Sequence, residues 1–112
     1  MGEYSIEELN SSSMQIILHA GNARELYNEA LDQAEAGMES AVGSLLDAAE
    51  EEVVCAHRIQ TRLIQGAIEQ EHPDMTVLFI HAQDTLMSVD SEYRLVKRLI
   101  KLYGKLAEMG ER

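Results

Sequence analysis

Apolar positions recur by fours and threes along almost the whole chain, the period of a helix face rather than a strand. A first stripe runs Ile16, Ala20, Ala23, Tyr27, Ala30, Ala34, and its many alanines imply close helix approach. A second runs Met38, Val42, Leu45, Ala49, Val53, Ala56, Ile59, Leu63, Ala67. The third is the cleanest: Met75, Phe79, Ala82, Leu86, Val89, Tyr93, Val96, Ile100, Tyr103, Ala107. It spans about thirty residues, roughly 50 Å of helix. Punctuation agrees with the stripes. Ser5-Ile-Glu-Glu8 reads as a capping box that starts a first helix, with Ser12 and Gln15 as an alternative start. Gly37 marks its stop, and EQEHPD, residues 69–74, separates the second helix from the third, with Pro73 suited to a first turn. The pattern predicts helices over about 5–36, 38–69 and 74–108 in one domain, 1–112. Short connections make this an all-α, antiparallel three-helix bundle.

Composition narrows the partners. The 112 residues carry a net charge of −11, which argues against nucleic acid and suits partners with basic patches. The single cysteine, Cys55, excludes an internal disulfide framework and reads as a small buried hydrophobe in a reducing interior. No apolar stretch approaches the roughly 18 residues of a membrane span. The start, MGEYSIEELN, lacks the basic flank and apolar centre of a signal peptide, and acidic Glu3 argues against myristoylation of Gly2. A cytoplasmic protein without membrane insertion is expected.

The segment VLFIHAQDTLMS, Val77 to Ser88, sets the functional question, because an apolar run there holds a histidine and an aspartate. With Phe79 at 0° on the helical wheel, the core seam centres at about −30°. Val77 then lies at about 160°, Ile80 at 100°, Asp84 at 140° and Met87 at 80°, with His81 at about 200°. The third helix therefore carries a second apolar face, almost opposite its core seam. A helix apolar on both sides is buried on both sides, so this face predicts a subunit interface with His81 and Asp84 at it or on its edge. Near a symmetry axis, copies of Asp84 repel unless protonated or bridged by a cation, and a hard oxygen-liking ion such as Mg²⁺ is the natural choice. A solvated Asp84 at an edge is the plainer alternative. His81 can likewise be an ordinary interface histidine, or a nucleophile, since a free imidazole titrates at about 6.5 and accepts acyl or phosphoryl groups.

HAQDTLM, residues 81–87, resembles the active-site segment H-[GA]-Q-D-H-L-M of the lactose/cellobiose-type enzyme IIA of the bacterial phosphoenolpyruvate-dependent sugar phosphotransferase system. Ala20 to Leu31, AGNARELYNEAL, resembles the family's A-G-x-A-R segment, and Ala56 to Gln65, AHRIQTRLIQ, its A-H-x-x-Q-T segment. Arg98 to Leu106 looks like its final helix. Ala82, with VLFIHAQD around it, resembles the cellobiose/chitobiose branch slightly more than the lactose branch.

The resemblance implies a three-helix bundle assembled as a homotrimer. His81 would receive a phosphoryl group from the phosphocarrier HPr and pass it to a cysteine of enzyme IIB, without binding sugar itself. Asp84 would lie inside the trimer, where three copies hold a divalent metal. Gln83 matches the motif. Thr85 departs from it: the family's second histidine, four residues after the first, is here a hydroxyl on the same helix face, able to hydrogen-bond but not to carry positive charge. His57 matches the second-helix segment and reads as a groove or interface histidine, with a supporting role as the other option. His19 reads as a bundle residue and His72 as solvated. Two other classes compete, a metal-holding helical oligomer without chemistry and a phosphorelay histidine-transfer domain. The latter lacks its H-x-x-K-G signature, since Ala-Gln-Asp follows His81.

Overall fold

The computed structural model describes residues 5–69 and 75–110. Three helices, α1 (Ile6–Glu35), α2 (Val42–Glu69) and α3 (Val77–Gly110), form an elongated up-down-up bundle of 64 × 20 × 17 Å. Ser5 caps α1, its Oγ accepting from the Glu8 N–H at 3.1 Å, which is the serine half of the expected capping box; the return bond from the Glu8 side chain to the Ser5 N–H is not formed among the described residues. Ser12, the alternative start, lies inside the helix.

The stop at Gly37 also forms as the sequence suggests. Gly37 takes φ +76°, a left-handed value that costs a residue without Cβ little. Its N–H and that of Met38 reach back to the carbonyls of Ala34 and Gln33. Here the expected second helix is corrected. Those bonds turn the chain away from the axis of α1, so residues 38–41 form a connection and α2 begins at Val42. Met38, counted in the second stripe, is consequently exposed. The third helix likewise begins later than expected. Thr76 Oγ1 accepts from the Phe79 N–H at 3.1 Å, so Thr76 caps α3 and Met75 stands outside it, exposed. Pro73, proposed for the first turn, lies outside the described residues.

Along the bundle the core falls into three layers. Leu9, Ile16, Ala56, Ile59, Leu63, Phe79, Ala82 and Leu86 form the first. Ala20, Ala23, Tyr27, Ala49, Val53, Val89, Tyr93 and Val96 form the second, and Ala30, Ala34 and Val42 the third. The alanines of α1 let both other helices approach it, and all but Ala34 are wholly buried. Arg24 of α1 lies level with Glu92 of α3, which puts the end of α1 beside Tyr103. The last turns of α3 run past it, and Ala107 is exposed for that reason.

Candidate functional site

The two faces of α3 separate cleanly. Phe79, Ala82, Leu86, Val89, Tyr93 and Val96 are buried. Val77, Ile80, Met87, Leu95, Leu99, Leu102, Leu106 and Met109 are exposed, and they make up eight of the 15 large exposed hydrophobic residues among those described. Val77 is 83% exposed and Met87 67%, so none of the described residues covers this second face. Asp84 is exposed in its midst, and His81 is exposed one turn earlier, on the edge nearer α1. Gln83 and Thr85 are half-buried beside them.

The Thr85 hydroxyl donates to the His81 carbonyl at 2.9 Å, the back-bond that threonines make inside helices. A hydroxyl has one proton, so in this rotamer Thr85 offers a group on His81 only acceptor lone pairs. The expected hydrogen bond from Thr85 to a phosphoryl oxygen requires that back-bond to break.

The other described histidines have carboxylate neighbours. His19 Nδ1 pairs with Glu52 between α1 and α2. His57 Nε2 stands 3.9 Å from Asp90, which also holds Arg94 at 3.3 Å. Asp90 follows His81 by nine residues, about 13 Å along the helix, so within one chain His57 is not brought to His81. The ring of His81 enters none of the ion pairs and hydrogen bonds formed among the described residues, and it faces solvent. His72 lies outside the described residues.

A second polar centre ties α1 to α3 and was not singled out by periodicity. Arg24 forks onto Glu92 through Nε and Nη2, both at 3.2 Å, and the buried Tyr27 hydroxyl donates to the same carboxylate. The Tyr27 hydrogen bond, with that of Arg24, holds Glu92 below the usual carboxylate range. Burial, then the Glu92 bond, pushes the Tyr27 hydroxyl up to about 12. Arg24 was visible in the A-G-x-A-R segment, but its partner 68 residues away was not.

Among the described residues, no group of three or more His, Cys, Asp or Glu side chains in one chain could hold a metal ion. Asp84 offers a single carboxylate. A cation there calls for carboxylates from several copies, and oxygen donors of that kind fit a hard divalent ion. No described helix is long and apolar enough to cross a membrane.

Comparison with known proteins gives a consistent picture. The family described as "PTS system, Lactose/Cellobiose specific IIA subunit" matches residues 11–104. The chain is 43% identical over 103 residues to the lichenan-specific phosphotransferase enzyme IIA component of Bacillus subtilis, covering 91% of this chain and 93% of that one. Its fold is similar to the crystal structure of the cellobiose-specific enzyme IIA from Bacillus anthracis. There the TM-score is 0.84 at 36% identity, over 94% of each chain. It is similar also to the chitobiose-specific IIA of Escherichia coli, solved in complex with HPr. That match has a TM-score of 0.80 at 33% identity, over 89% of this chain and 97% of that one.

Proposed function

The chain belongs to the lactose/cellobiose-specific IIA family of the phosphotransferase system, and from that premise we propose that it is a phosphoryl carrier in sugar uptake with His81 as its acceptor. The observation that carries this reading is the contrast among histidines. His81 sits in the HAQDTLM motif, exposed on α3 with its ring unengaged among the described residues, whereas His19 and His57 face carboxylates. A phosphoryl acceptor needs a neutral, reachable imidazole nitrogen.

In the forward step a lone pair of His81 attacks phosphorus of phospho-HPr in line. The P–N bond to His81 forms as the P–N bond to the HPr histidine breaks, and the electron pair returns to the HPr imidazole. In the next step a cysteine thiolate of enzyme IIB attacks, and the P–N bond to His81 breaks. Positioning and electrostatics perform this chemistry, since the protein forms no other covalent bond. The phosphoramidate is itself high in energy, so the group moves reversibly between carriers. The convex helix face leaves His81 open, which lets a partner close over it and exclude water. With the Thr85 proton engaged, donors to the phosphoryl oxygens come from the docked partner or from Thr85 after rotation.

The second face of α3 supports assembly as a homotrimer around that helix. A contiguous apolar face of this size marks an interaction site. Three copies of Asp84 would meet near the axis and hold a divalent cation, with Mg²⁺ the expected ion. When bound, that ion neutralises the carboxylates and ties the helices together, and phosphoryl transfer does not run through it.

The test is intact-mass analysis after incubation with phosphoenolpyruvate, enzyme I and HPr, beside His81→Ala. The expected result is one acid-labile phosphoryl group per chain, absent from the variant. An unphosphorylated wild-type chain with active reagents would overturn the carrier role.

A further inference from the structure

Resting on the trimer reading above, we propose that neighbouring copies are locked by a charge clasp in which Arg98, Lys101 and Lys105 on α3 of one copy face Asp32 and Glu35 on α1 of the next.

The chain has a net charge of −11, yet five of its nine cationic residues stand together in the second half of α3: Arg94, Lys97, Arg98, Lys101 and Lys105. With Leu102 they line one surface groove. Their row continues the edge that faces α2. From Asp90, which looks toward His57 of α2, the steps to Arg94, Arg98, Lys101 and Lys105 are four, four, three and four, a single helix face. Of these five cations, only Arg94 has a carboxylate partner among the described residues, its own Asp90.

The opposite edge of α3 borders α1. Glu92 meets Arg24 there, and Tyr103 lies beside Glu35, whose charge raises the tyrosine pKa. On α1 the face bearing Arg24 continues through Asn28, Asp32 and Glu35, in steps of four, four and three. Asp32 and Glu35 are exposed. The chain therefore has a basic edge on one flank of the open apolar stripe and an acidic edge on the other. Between them run Leu95, Leu99, Leu102, Leu106 and Met109.

Height decides whether the edges can meet. Arg24 lies level with Glu92, so Asp32 lies level with Ile100 and Glu35 with Tyr103, inside the span of Arg98 to Lys105. Rotation about an axis parallel to α3 preserves height and brings the α2-side edge of one copy against the α1-side edge of the next. Every clasp then joins unlike charges, which favours one register and one direction of packing. An antiparallel pair would set the basic half of α3 opposite Val77 to Asp90 instead, leaving Asp32 and Glu35 without their partners. Because both edges are solvent-exposed in the isolated chain, the attraction is screened by salt.

The experiment measures molar mass by sedimentation against protein concentration at low and high NaCl. It uses the wild type, Arg98→Glu/Lys101→Glu, Asp32→Lys/Glu35→Lys, and the combination of all four changes. The expected result is a wild-type trimer that weakens with salt, and an association weaker by on the order of tenfold or more in each reversed pair. The combination restores trimer mass, which a folding defect could not produce. A trimer whose mass and salt dependence are unchanged by either reversal overturns the clasp and leaves the trimer standing. A wild type that is monomeric at every concentration overturns the trimer and the clasp together.

Discussion

The two faces of α3 are built from the same kinds of residue at the same spacing, and they have different fates. Phe79, Ala82, Leu86, Val89, Tyr93 and Val96 are closed off by α1 and α2. Val77, Ile80, Met87, Leu95, Leu99, Leu102, Leu106 and Met109 stay open. Periodicity alone does not tell a core stripe from an assembly stripe. What distinguishes them is the company they keep. The inner stripe is apolar from end to end until α3 outruns α1, whereas the outer one contains Asp84, has His81 on one edge and carries the basic row on the other. The inner face sustains the fold, and the outer face carries the proposed assembly and chemistry.

The sharpest way to break this division is to truncate adjacent residues on opposite faces. Leu86→Ala removes a wholly buried side chain and is expected to cost about 2–5 kcal/mol of unfolding free energy by denaturant titration. Met87→Ala, one residue on, is expected to stay within about 0.5 kcal/mol when the chain is diluted below its association range, while shifting its association midpoint upward. Equal losses from the two truncations in the dilute chain would erase the distinction.

A second effect concerns the polar residue within the apolar face. Chelation of divalent cations is expected to weaken wild-type association by on the order of tenfold, because uncompensated Asp84 copies repel. Asp84→Asn is expected to assemble equally well with and without chelator, checked by sedimentation. Chelator sensitivity that persists in the variant would locate any cation elsewhere.

Thr85 sharpens the comparison on the chemical edge of the same face. Thr85→His frees the His81 carbonyl from its back-bond and adds a group able to bear positive charge one turn away. It is expected to lengthen the lifetime of the phosphorylated chain several-fold, followed by intact mass over time. Thr85→Ala is expected to change that lifetime little.

The smallest effect lies where α1 closes on α3. Glu92 has a folded-state pKa below its ordinary 4.5, so its stabilising contribution is full above that value and is lost as pH falls through the lowered one. Tyr27 behaves in the opposite sense: its contribution is full below the ordinary 10.0 and fades as pH rises toward about 12. Tyr27→Phe removes the leading cause of the Glu92 depression. It is expected to move the Glu92 titration upward by carboxylate NMR and to flatten the acid limb of the stability profile. A Glu92 titration unmoved by this change would assign the depression to Arg24 alone.

Much of this molecule is legible in its sequence. The helix period, the Ser5 N-cap and the Gly37 stop each rest on local chemistry, and each appears where the residues put it. The starts of α2 and α3 were misplaced because stripes were extended through Met38 and Met75, apolar residues that sit in connections beyond a cap. The open second face of α3 followed from wheel geometry, since it needs only one helix to be known. The Arg24–Glu92–Tyr27 centre, the His19–Glu52 pair and the common height of Asp32 and Ile100 did not, because each depends on how separate helices align. Thr85 was recognised as a departure from the family motif, but the engagement of its proton depends on a rotamer that sequence does not specify.

The most direct test of the central claim locates the phosphoryl group among the four histidines. The chain would be phosphorylated through HPr and fragmented by electron transfer at neutral pH, which preserves phosphoramidates, and the modified residue read from the fragment masses. The account predicts the added mass on His81 alone. A phosphoryl group on His57, which faces Asp90, or on His19 or His72, would contradict the assignment of the exposed face of α3 as the site of transfer.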